Sequence, residues 1–115
     1  DIYDFAPVAC FTLDPLGVII DVNLAGAVLL GIKGSQKNRH RFAAFVSADH
    51  LDAFNHFVDD VLHTNRKMVC ETVLSATSQH PEITVKIEAV PDEARRECRM
   101  VVMDITAEKA LRERQ

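Results

Sequence analysis

Ala9-Cys10-Phe11-Thr12-Leu13 runs into Asp14-Pro15-Leu16-Gly17 and leaves through Val18-Ile19-Ile20-Asp21-Val22 before reaching Asn23. Residues 9–13 alternate bulky apolar side chains with small or polar ones, the period of a half-buried strand. Pro15 presets a turn and Gly17 supplies positive φ, so 14–17 reads as a hairpin connection. Residues 18–22 are rich in β-branched side chains and read as the second strand. Asn23 stands where a helix N-cap belongs, in front of Leu24-Ala25-Gly26-Ala27-Val28-Leu29-Leu30, and Gly31 suits the helix C-terminus. That helix is two turns long and apolar nearly all round, so it belongs in the interior.

Outward from this hairpin, residues 32–41 read as a polar loop and 41–46 as one helical turn around Phe42 and Phe45. Ser47 offers an N-cap for a longer helix over 48–63. At roughly 100° per residue, Leu51, Phe54, Phe57, Val58, Val61 and Leu62 fall on one face of it. Asp52, His56, Asp59, Asp60 and His63 fall on the other. The second half reads as strands over 68–76, 83–89 and 99–104, the middle one with the clearest period of two. The connections 78–81 and 91–95 lack the Gly of a tight hairpin, so both are expected to be wide. Pro81 is easiest to place at the first position of a strand. Thr106 begins a final helix, caps it through its hydroxyl, and leaves Glu108 and Arg112 paired at i, i+4. Lys109 stands where the full capping box would place Glu. The helix is still running at Gln115. The fold class is α+β: five antiparallel strands with the helices on one face.

The composition narrows the function. A chain of 115 residues is one domain, and 48% hydrophobic residues suit a packed core rather than disorder. Thirteen Lys+Arg against seventeen Asp+Glu give a net charge of −4, which argues against a nucleic-acid binder. The charge resides largely on the outer face of the long helix, and the bases of the first half gather between Lys33 and Arg41, as a solvated loop would. No apolar run reaches the roughly 18–20 residues of a membrane span, so no membrane contact is expected. Cys10, Cys70 and Cys98 are odd in number and form no CxxC, which points to packing residues in a reducing, cytoplasmic compartment. The chain starts at Asp1 with no signal peptide and reads as a piece of a larger protein.

Several of these stretches resemble a PAS domain when taken in order. They are Ala6-Pro7-Val8-Ala9, Asp14-Pro15-Leu16-Gly17-Val18-Ile19, Val22-Asn23, Leu29-Leu30-Gly31 and Phe45-Val46-Ser47-Ala48-Asp49. Asp104-Ile105-Thr106 followed by Glu108-Lys109 is similar to the Asp-x-Thr signature that closes many bacterial PAS domains. The chain departs from the pattern at Arg39, where members often have Gly, and at Gln79-His80, which replace the usual Asp-Gly. The resemblance implies the strand order 2-1-5-4-3, helices enclosing a small cavity, and a sensory or dimerisation role in a signalling protein. Histidine kinases of two-component systems and diguanylate cyclases are frequent hosts. It divides the chain into an incoming stub over 1–5, a core over 6–106 and the start of an outgoing signalling helix over 107–115.

The cavity would be lined by Phe11, Asn23, Phe45 and Phe54, together with Val58, Cys70 and Ile87, and would take a small molecule. Each also has a plainer role as a packing residue, or, for Asn23, as a cap. Asp104 and Thr106 would pass a signal from sheet to outgoing helix, in a chain that also carries the output domain. Ile2, Tyr3 and Phe5 would support a homodimer through the N-terminal segment and the sheet face. Haem is disfavoured because the axial position of oxygen-sensing relatives falls on Phe54, with His50 as the only nearby substitute. A flavin photoadduct is disfavoured because Arg39-His40-Arg41-Phe42 puts His40 where light-sensing members have a reactive Cys. The cofactor is therefore left unassigned. There is no nucleophile elbow, phosphate loop or paired metal spacing. His56 and His63 read as solvated, with Asp59 between them, and no metal or catalytic residue is assigned. The alternatives are a PAS-like interaction module with a filled core, or a small α+β enzyme using Asp21 or Asp49.

Overall fold

In the computed structural model the described residues are 8–114, so the segment over 1–5 and its residues Ile2, Tyr3 and Phe5 lie outside them. The hairpin folds as read, with β1 at Ala9–Leu13 and β2 at Ile19–Val22. Gly17 takes φ +83, and the Asp14 carboxylate accepts the N–H groups of Leu16 and Val18. Helix α1 spans Leu24–Leu30, with Asn23 as its cap and Gly31 left-handed at its end. The longer helix, α2, covers Leu51–Thr64, and β3, β4 and β5 are Met68–Leu74, Ile83–Asp92 and Glu97–Asp104. Helix α3 is Thr106–Glu113, with Arg114 in a turn; Gln115 lies outside the described residues.

The five strands form one antiparallel sheet in the order β2-β1-β5-β4-β3, the order that the PAS resemblance implies. Alternation decides its two faces. Ala9, Phe11 and Leu13, Ile83 to Ala89 in steps of two, and Cys98, Met100 and Val102 all point to one buried side. The apolar face of α2 covers that side through Phe54, Phe57, Val58 and Val61. The opposite face carries Thr12, Glu88, Val90 and Arg99, with Val90 and Val69 exposed.

Several boundaries differ from the sequence reading. Residues 34–39, read as loop, form a 3-10 segment. Ser47 makes no side-chain cap; a 3-10 turn over Ala48–His50 precedes α2 instead. The β4–β5 connection is tight, four residues between the paired Asp92 and Glu97. Arg96 takes φ +55 there, the conformation a Gly would usually supply, and the Asp92 carboxylate accepts the N–H of Arg95. Pro91 lies inside β4 because β3 pairs no further than Ala89, so β4 has β5 alone beside it at that point. Pro81, by contrast, precedes β4 by two residues. Arg112 pairs with Glu71 of β3 at 3.3 Å rather than with Glu108.

One segment reaches across the covered face from edge to edge. At the β2 edge the N–H of Ile19 bonds the carbonyl of His40, and that of Phe42 bonds the carbonyl of Gly17. At the β3 edge Val46 bridges Leu74, Ser47 donates to Val73, and Ser75 donates to Phe45. This strap drops Phe42 into the centre of the core. Its ring meets Phe11 edge-on at 5.0 Å and Phe54 at 5.3 Å.

The fit of α1 on β1 is equally close. A methyl group at Gly26 would stand 2.7 Å from Val22 Cγ2, 3.0 Å from Phe11 Cζ and 3.1 Å from the carbonyl oxygen of Cys10. Ala in place of a helical Gly ordinarily gains about 1 kcal/mol. Here Gly26→Ala is expected to lose about 1–3 kcal/mol, as overpacked sites do. Urea denaturation checks the sign; a stabilised variant would contradict this packing.

Candidate functional site

The inner face of the sheet holds most of the residues that the sequence singles out. Phe11, Phe54, Val58 and Ile87 are buried in one core, and Cys70 is half-buried opposite Ile87 in the β3–β4 register. Phe45 sits at the rim of the core, its ring 5.8 Å from His40. Asn23 is fully buried, and its polar atoms serve the backbone. Its Oδ1 accepts the N–H groups of Gly26 and Cys10, both at 2.9 Å, and its Nδ2 donates to Val8 O at 2.8 Å. One amide thus caps α1 and pins that cap to β1.

Two clefts border this set from different sides. One, of about 560 Å3, runs between α2 and the β1–β2 hairpin, with Leu16, Arg41, Phe54, Val58 and Asp59 in its wall. The other, of about 630 Å3, lies over the strands and includes Phe11, Thr12, Val90, Arg99 and Val101. Asn23, Phe45, Cys70 and Ile87 line neither.

Two buried polar atoms stand out, Thr72 Oγ1, which the sequence reading passed over, and His50 Nδ1, whose residue it named only as a substitute haem ligand. Thr72 points inward from β3 opposite Val85, is 4% exposed, and its hydroxyl has no hydrogen-bond partner. His50 Nδ1 is buried and likewise without a partner. Topology brings them to one end of the core, since His50 N–H bonds Ser47, and Ser47 N–H bonds Val73, the neighbour of Thr72. The available signal was register: Cys70, Thr72 and Leu74 share a face with Ile87, Val85 and Ile83.

Burial pushes Cys98 up to about 12, and the charge of Cys70 adds to the rise. Burial and then the Glu71 charge push Cys70 up to about 11, and burial also raises Cys10. His40, which the resemblance sets at the position of the photoactive Cys, gives its carbonyl to Ile19. Phe54, which the resemblance sets at the haem-ligand position, packs its ring against that of Phe42 at a tilt of 30°. His56 and His63 are exposed on α2, and His63 Nδ1 lies 2.8 Å from the carbonyl of Asp59. No group of three metal-ligating side chains occurs among the described residues. Asp21 is exposed beside Lys37 at 3.8 Å, and Asp49 is exposed. No helix among the described residues is long and apolar enough to cross a membrane.

At the exit from the sheet, Thr106 is the first residue of α3 rather than its cap. Its hydroxyl donates to Asp104 Oδ1 at 2.7 Å and accepts the N–H of Thr84 on β4 at 3.0 Å. Asp104 Oδ1 also accepts the N–H of Thr106, and Ile105 N–H bonds Thr84 O at 2.8 Å. Asp104 and Thr106 therefore lace the start of α3 to β4 and β5, and Arg112 fastens the next turns to Glu71.

No protein-family model matches the chain, and no curated protein matches it in sequence. Solved structures do match. A PAS domain from Colwellia psychrerythraea superposes with a TM-score of 0.78 at 18% identity, covering 92% of each chain. A domain of a sensory box sensor histidine kinase/response regulator from Geobacter sulfurreducens gives 0.72 at 15%, covering 90% of this chain and 88% of that one. The PAS domain of the RpfR quorum-sensing receptor from Cronobacter turicensis, in complex with BDSF, gives 0.75 at 17%, covering 88% and 96%.

Proposed function

Because this chain has the PAS fold, we propose that it is a non-catalytic sensory module. It takes a small ligand at the inner face of β3 and relays occupancy through Asp104 and Thr106 to α3. An output domain in the same protein, a histidine kinase or a diguanylate cyclase, receives the signal. The observation that carries this reading is the pair of unpartnered buried atoms, Thr72 Oγ1 and His50 Nδ1. A buried polar group without a partner costs about 1–3 kcal/mol, which a ligand's hydrogen bond recovers. Leu74, Ile83, Val85 and Ile87 around Thr72 are apolar, so the body of the ligand is apolar and its polar group meets Thr72 and His50. The Cronobacter domain bound to BDSF and the Geobacter sensor kinase domain support ligand and output respectively.

A second reading, an assembly module with a filled core, is favoured by the packed rings of Phe11, Phe42 and Phe54. In both readings the open sheet face and residues 1–5 supply a homodimer contact, supported by exposed Val69 and Val90 on that face. Thr72→Val separates the two. In the sensory reading it leaves ligand-free protein as stable or up to about 1 kcal/mol more stable, since it removes an unpaired hydroxyl, and it abolishes ligand retention. A clear loss of stability in thermal unfolding would show that the hydroxyl has a structural partner.

A further inference from the structure

The cleft of about 560 Å3 beside α2 lies outside the sensory reading, since neither Thr72 nor His50 lines it. Its size falls within the roughly 300–1,000 Å3 of small-molecule sites. Its floor is apolar, made by the buried side chains of Leu13, Phe54 and Val58. Leu16 of the hairpin turn also lines it, although 70% exposed. The walls carry the charge, and the two walls carry opposite signs.

One wall is the β2 edge, where the strap meets the hairpin. Arg41 pairs with Val18 in an antiparallel bridge. The residues on either side of it are tied down as well, His40 to Ile19 and Phe42 to Gly17. Arg41 is thereby rooted on the hairpin side of the cleft. The other wall is α2. Asp52 and Asp59 stand two helical turns apart on one face of it, with His56 between them. None of Arg41, Asp52 and Asp59 forms an ion pair among the described residues. The guanidinium and the carboxylates therefore line one groove without pairing with each other.

We infer that this cleft is a binding site for a short apolar peptide with free termini, of dipeptide size. Its terminal carboxylate meets Arg41, whose planar guanidinium can donate two parallel N–H bonds to it. Its terminal ammonium meets the carboxylates of α2, and its side chains lie on the floor of Leu13, Phe54 and Val58. A molecule with a single charge satisfies one wall only. An amino acid holds both charges on one carbon. An extended dipeptide sets them about 7 Å apart, which suits charges held on opposite walls. The site is separate from the ligand proposed at β3 and does not depend on it.

The test is a heteronuclear NMR titration with leucyl-leucine, its N-acetylated form and its C-terminal amide. Leucyl-leucine is expected to shift the amides of Arg41, Asp52 and Asp59 saturably. Either capped form is expected to bind about tenfold more weakly, as loss of a hydrogen bond between charged groups does. Arg41→Gln should remove the preference for the free carboxylate. The double variant Asp52→Asn, Asp59→Asn should remove the preference for the free ammonium. All three residues are exposed, so these variants are expected to fold. Thr72→Val should bind leucyl-leucine as wild type does, which separates this site from the one at β3. Equal binding of the three compounds, saturation with shifts elsewhere, or no saturable shift each overturns the inference. Should Arg41→Gln fail to fold, the capped peptides on wild type decide.

Discussion

Replacing Phe42 with Ala is expected to cost about 3–5 kcal/mol, the range for emptying a buried aromatic site. The ring is fully buried and touches Phe11 from the sheet and Phe54 from α2, so its loss removes contacts on both layers. The strap cannot collapse into the hole, because 40–42 are bonded to the β2 edge and 45–47 to the β3 edge. Since domains of this size are stable by about 5–15 kcal/mol, that loss is a large fraction of the total. Urea denaturation followed by circular dichroism measures it. A loss below about 1.5 kcal/mol would mean that Phe42 is not central to the core.

Asn23→Ala is expected to cost about as much by a different mechanism. It leaves the N–H groups of Cys10 and Gly26 and the carbonyl of Val8 without the amide that joins them. A buried group left unpaired costs about 1–3 kcal/mol, and loss of an N-cap alone about 1 kcal/mol. The neighbours share one site, so the sum is not additive, and about 3–5 kcal/mol is expected overall. The amides of Cys10 and Gly26 should lose hydrogen-exchange protection before the rest of the sheet. A variant within 1 kcal/mol of wild type would reduce Asn23 to an ordinary cap.

These two residues mark how far the sequence could be read. Asn23 was legible as a cap because it precedes an apolar helix and Gly31 follows it. Its bonds to Cys10 and Val8 were not legible, since they depend on where β1 passes. The hairpin, α1, α2 and the period-two strand β4 all follow from local pattern, and the strand order was legible only through the PAS resemblance. What local pattern missed was set by tertiary bonding. Phe42 looked like one apolar residue in a helical turn until strap contacts at both sheet edges placed it at the centre. Arg96 took the left-handed position that the reading reserved for Gly, which shortened a loop expected to be wide. Thr106 looked like a cap, but its hydroxyl turned instead to Asp104 and Thr84.

The candidate site was legible in part. Phe11, Phe54, Val58 and Ile87 lie together in the core as their periodicity requires, whereas Phe45 turns to His40 at the rim. Thr72 went unnoticed because a lone Thr in a strand is ordinary. Its significance comes from being buried with no partner, which only packing reveals.

Native mass spectrometry of the purified protein tests the sensory reading most directly. The account predicts a species above the 12.8 kDa chain by the mass of one small molecule, present in wild type and absent from Thr72→Val. Bare protein from wild type and variant alike, under the same gentle conditions, would contradict it.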